Sequence, residues 1–198
     1  MKKVIIGLAM VAITLAACNS NNNKSSASQN EGNGSQAASK IDNSKSASSS
    51  GTKNAVFIKE IVSQYLQIKN GLANDNGKEA ANAGNAFVES ISKMDKTALP
   101  DSQKKIWDDI SDDAKEMAEH ISENADKLEH QREHFELLSK DMYDLVKAFG
   151  YDQVLYKVFD PMYNNGEGAF WLSETKEIKN PYMGRAMSNS GTIQEEIK

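Results

Sequence analysis

The chain has 198 residues, 23 basic and 28 acidic, with three histidines and a single cysteine. One cysteine excludes internal disulfides, and a net charge of −5 argues against nucleic acid as a partner. The acidic excess is concentrated: the first 52 residues hold five lysines and two acids, which leaves 18 basic and 26 acidic residues, net −8, in the remainder.

In chain order, Lys2 and Lys3 come first, followed by a run from Val4 to Ala17 that is apolar except at Gly7 and Thr14. This run is shorter than the roughly 20 residues that a bilayer-spanning helix needs. It suits the apolar region of a secretory signal peptide. Leu15-Ala16-Ala17-Cys18 resembles the lipobox of bacterial lipoproteins. The resemblance implies removal of residues 1–17 and lipidation of Cys18, which would anchor the chain in the membrane. Asn19 stands where the enteric sorting rule reads Asp as an inner-membrane signal. The expected location is therefore the cell envelope, lipid-anchored, at the outer membrane facing the periplasm. After Cys18, residues 19–52 are dominated by Ser, Asn, Lys, Gly, Ala and Gln, with no aromatic residue. Such a stretch cannot bury enough apolar area to offset its chain entropy, so 18–52 reads as a lipidated, disordered tether.

Residues 53–198 are enough for one domain with a real core. Val56, Ile61, Tyr65, Ile68 and Leu72 predict a helix over about 55–73, ended by the turn Asn74-Asp75-Asn76-Gly77. Ala80, Ala83, Phe87 and Ile91 predict a second over about 78–94, stopped before Pro100. Trp107, Ile110, Ala114, Met117 and Ile121 predict a third over about 103–122, capped by Asp101 or Ser102. Asp126-Lys127-Leu128-Glu129 has the form of a capping box. It opens a fourth helix with a seam of Leu128, Phe135, Leu138, Met142, Leu145 and Phe149, and Gly150 is the stop. From Tyr151 onward no clear period survives, but Phe159, Phe170, Trp171, Leu172 and Tyr182 are too apolar for a solvated tail. The expected fold is all-α: an up-and-down four-helix bundle with an irregular C-terminal segment packed on it.

The chemistry-bearing residues cluster. All three histidines lie in a short stretch, His120 near the end of the third helix and His130 and His134 four apart at the start of the fourth. An antiparallel turn brings these ends together, and imidazoles on facing helices can hold a metal ion. Met117 and Met162 are candidate thioether donors, which favour Cu(I), although Met117 also fits the core seam. Surface histidines forming ordinary hydrogen bonds are the competing reading of this spacing. Glu129, Glu133 and Glu136 read as a solvated helix face. No HExxH, GxSxG, P-loop or dinucleotide turn is present, so the chain does not read as an enzyme.

The blocks His120-Ile121-Ser122, His130 to Ser139, Pro161-Met162, Gly168 to Ser173, Ile178 to Gly184, and Met187 followed by Gly191 together resemble a bacterial domain of unknown function. That domain is found in periplasmic lipoproteins and at the C-terminus of heavy-metal (copper) efflux adaptor proteins. The resemblance implies a helical bundle linked to copper or related soft-metal handling, with His120, His134 and Met162 as ligands and His130 and Asp160 as further candidates. The family pattern has cysteine where this chain has Asp160 and Ser190. Loss of two thiolates shifts the preference from Cu(I) toward Zn(II) or Cu(II). The implied partners are a copper or zinc ion, the membrane through the lipid anchor, and an efflux or envelope protein. The alternative is an envelope interaction module without metal, docking through an exposed patch around Phe170, Trp171 and Tyr182.

Overall fold

A computed structural model describes residues 44–198, with side chains from Asn54 onward. The signal segment 1–17, Cys18 and the tether as far as residue 43 lie outside the described residues. Four helices come first: α1 Ser44–Ala73, α2 Gly77–Ser92, α3 Asp101–Glu123 and α4 Leu128–Phe149. Three strands follow: β1 Leu155–Asp160, β2 Ala169–Ser173 and β3 Thr192–Ile197. Helix α1 reaches back into the Ser-rich stretch assigned to the tether.

The apolar positions account for the packing. Ile61, Tyr65, Ile68, Leu72, Phe87, Ile121, Phe135, Leu138 and Met142 are all fully buried in one core. Each such side chain contributes about 1.5–3 kcal/mol in transfer from water. α1 packs on α2, α2 on α3, α3 on α4, and α4 returns to α1. Gly84 lets α2 approach α3 closely, since a Cβ there would sit 2.9 Å from the Ala118 carbonyl oxygen. The α3–α4 pair is antiparallel and stapled at both ends. Gln103 donates to the Ala148 carbonyl at 3.1 Å, and Gln131 donates to the Ile121 carbonyl at 2.9 Å.

The caps differ in part from the sequence expectation. Asn76 caps α2 by accepting from the Glu79 amide and donating to its carboxylate. Pro100 and Lys127 flank α3 and α4 without a side-chain cap, so neither Asp101, Ser102 nor the Asp126 box performs that role. Gly150 does close α4, its N–H bonding to the Val146 carbonyl.

The fold is not all-α. The C-terminal segment forms an antiparallel sheet of order β2-β1-β3, with Val158 opposite Trp171 and a register irregularity between Lys157 and Val158 on the β3 side. The cause lies in residues such as Leu155, Tyr156, Val158 and Phe159, branched or aromatic side chains that fit a pleated, half-buried surface. β2 packs on α4 and touches α1. Trp171 and Leu172 enter the core, and the Leu172 amide donates to the Tyr65 hydroxyl at 3.0 Å. The sheet therefore completes the bundle core.

Buried charge ties the C-terminal segment down further. Arg132 is almost fully buried and donates to the Pro181 carbonyl at 2.9 Å, to the Leu72 carbonyl at 3.3 Å and to Asp75 at 2.6 Å. Gly184 passes beside this cluster at φ +57°, where a side chain would collide with Asp75 and Arg132. Lys69 is buried as well and donates to Glu174 at 2.6 Å.

Candidate metal centre

The antiparallel docking of α3 and α4 sets His120 beside the first turns of α4. His130 and His134, four residues apart, project from the same side of that helix. The three imidazoles form a group whose candidate ligand atoms all lie within 4.8 Å of one another. Each residue is half-buried.

Ring orientations distinguish the three. His130 and His134 are nearly perpendicular, at 86°, with their Nε2 atoms 3.2 Å apart. Two nitrogens bound to one tetrahedral ion at 2.0–2.1 Å stand about 3.3–3.4 Å apart, so this pair already has the spacing of two ligands. His120 and His134 are stacked, 8° from parallel with centroids 4.3 Å apart. An ion lies near the plane of the ring that binds it, and stacked rings occupy separate planes. His120 must therefore turn its ring to join the other two. Its side chain is 41% exposed, and its nearest carboxylate, Glu116, is 3.8 Å from Nε2, too far for a firm hydrogen bond.

The outer nitrogens face defined neighbours. His130 Nδ1 lies 3.4 Å from Glu133 Oε2, and His134 Nδ1 lies 3.3 Å from Met117 Sδ. Met117 is thus half-buried beside the histidines, and Ala118 takes the core position next to it. The sulfur sits behind His134, on the side of the ring away from His130. Burial holds the His134 imidazole below its ordinary pKa, and the neighbouring His120 and His130 push the same way. A neutral ring is the form that ligates.

The remaining sequence candidates lie elsewhere. Asp160 ends β1, fully buried, and is not part of the histidine group. Its carboxylate accepts from the Met162 amide at 2.9 Å, from the Asn180 side chain at 2.6 Å and from the Ser190 hydroxyl at 3.1 Å. These bonds occupy both oxygens and make Asp160 a brace for the C-terminal segment. Met162 is exposed in the β1–β2 connection. Trp171 and Tyr182 are buried and Phe170 is partly so, which removes the aromatic patch on which a docking surface was expected. Among Glu129, Glu133 and Glu136, Glu129 pairs with Arg132 and Glu136 with Lys140, leaving Glu133 for His130. Its i,i+3 spacing from His130 was visible in the sequence.

This geometry can be set beside known proteins. Residues 61–154 match the family described as "Protein of unknown function (DUF3347)". A DUF3347 domain is found here. It takes in α2, α3, α4 and the C-terminal part of α1, and it stops immediately before β1. All three histidines, Met117 and Glu133 fall inside the DUF3347 domain, whereas Asp160, Met162 and the whole sheet follow it. No curated protein and no solved structure matches the chain. No helix among the described residues is long and apolar enough to cross a membrane.

Proposed function

We propose that this chain is a lipid-anchored, periplasm-facing binding protein for zinc or copper, acting in metal homeostasis or efflux. The observation that carries the reading is the convergence of His120, His130 and His134, with two Nε2 atoms 3.2 Å apart. Three neutral imidazoles are borderline donors suited to Zn(II) and copper. In the present ring orientation Met117 supports His134 from behind and is not a ligand, so the preference for Cu(I) is weaker than a thioether or thiolate site would give. The anchor and the envelope location rest on the N-terminal sequence up to Cys18. Their test is metabolic labelling with a fatty acid, which Cys18→Ser should abolish.

Titration with Zn(II), Cu(II) and Cu(I) tests the site. The full chain should carry Cys18→Ser, so that its one thiol does not compete. One equivalent is expected to bind at micromolar concentration or below. His130→Ala or His134→Ala should abolish this binding. His120→Ala should leave a weaker, two-histidine site. Binding that persists undiminished in the triple alanine variant would overturn the reading.

A further inference from the structure

Glu133 has no other partner among the described ion pairs and hydrogen bonds, and its carboxylate stands at the outer nitrogen of His130. An imidazole ligates through one nitrogen, and the partner of the other nitrogen decides which one is free. In the neutral ring, Nδ1–H donating to Glu133 leaves the Nε2 lone pair facing His134. Without the carboxylate, the proton returns to Nε2, its ordinary position in a neutral histidine, and a protonated Nε2 blocks the ligand position. We propose that Glu133 is a positioning residue for the metal centre, holding His130 in the Nδ1–H tautomer with Nε2 turned toward the ion. This inference rests on the metal-binding reading above.

The proton arrangement follows. With His130 Nε2 unprotonated, the 3.2 Å contact in the metal-free protein has His134 Nε2–H as donor. For His134 to bind the ion through the same atom, that proton leaves Nε2 and one is taken up at Nδ1, where the Met117 sulfur stands 3.3 Å away as a weak acceptor. One ring is thus prepared before the ion arrives, and the other rearranges when it binds.

Glu116 supplies an internal control. It carries the same charge beside the same cluster but is 3.8 Å from His120, beyond a firm hydrogen bond. If the carboxylates acted only by attracting a cation, removing either would weaken binding equally. The test is Zn(II) affinity, measured by competition with a chromophoric chelator, for Glu133→Ala, Glu133→Gln and Glu116→Ala. Long-range proton–nitrogen spectra of the metal-free protein at pH 8 accompany it. Glu133→Ala should lose about tenfold or more in affinity and shift His130 from mainly Nδ1–H to mainly Nε2–H. Glu133→Gln, which keeps an acceptor oxygen, should recover part of the loss. Glu116→Ala should lose less than about threefold. Equal losses in the two alanine variants, or a His130 tautomer unchanged by Glu133→Ala, would overturn this role while leaving histidine-dependent binding intact. Absence of histidine-dependent Zn(II) binding in the parent chain would overturn both readings.

Discussion

Asp141 shows what a single residue contributes on the α3–α4 face. It is half-buried, and its carboxyl is pushed up to about 6, first by burial and then by the charges of Asp113 and Asp144. A carboxylate whose folded pKa exceeds its unfolded value costs stability when ionised. The cost is absent below the ordinary value of 3.8, develops between that value and about 6, and is complete above 6. The full shift would correspond to about 3 kcal/mol at roughly 1.4 kcal/mol per unit; solvent screening of this half-exposed side chain reduces that to about 1 kcal/mol. Asp141→Asn should therefore stabilise the protein by about 1 kcal/mol at pH 7, with little difference near pH 4. Urea denaturation at both values measures it, and a destabilised variant at pH 7 would contradict the assignment. At the same scale, the i,i+4 spacing of His130 and His134 was legible in the sequence. The stacking of His120 on His134 was not, because it depends on the rotation of α3 about its axis.

Between helices, one close fit is at Gly84. A glycine inside a helix normally gains about 1 kcal/mol on replacement by alanine. Here the added methyl would meet the Ala118 carbonyl oxygen at 2.9 Å and the Ser122 side chain and amide at 3.3 Å. Backbone atoms cannot yield as a flexible side chain does, so α2 and α3 must separate. Gly84→Ala is expected to lower stability by about 1 kcal/mol, with overpacking outweighing propensity. A thermal melt that rises for this variant would show that the contact relaxes freely. The existence and approximate extent of α2, α3 and α4 were readable from apolar spacing. The caps were less so: the Asp126 box has the right residues, yet α4 begins at Leu128 with Lys127 before it. The strands were missed because the alternation in β1 is imperfect, with Tyr156 and Lys157 both half-buried.

For the whole molecule, the matched family region and the folding unit do not coincide. The DUF3347 match ends at residue 154, but Leu155, Val158, Trp171, Leu172 and Tyr182 are buried in the same core as the helices. Together they represent about 10 kcal/mol of transfer free energy, comparable with the 5–15 kcal/mol by which a domain is usually stable. Truncation would also leave buried Arg132 without the Pro181 carbonyl and buried Lys69 without Glu174. A chain ending at residue 154 should lose cooperative thermal unfolding and expose apolar surface to a hydrophobic dye. A sharp melting transition in that fragment would show that the helices suffice alone.

The helical elements, their buried faces and the proximity of three histidines to one interhelical turn could be read from the order of the residues. These are properties of local spacing, set by 3.6 residues per turn and by where the chain breaks. It took the assembled fold to establish that Trp171 and Tyr182 are core, that Asp160 braces the C-terminal segment, and that Met117 stands behind the His134 imidazole. Those outcomes depend on which surfaces meet across the chain. Contacts between distant residues are selected by the joint packing of every element, and no local period encodes them.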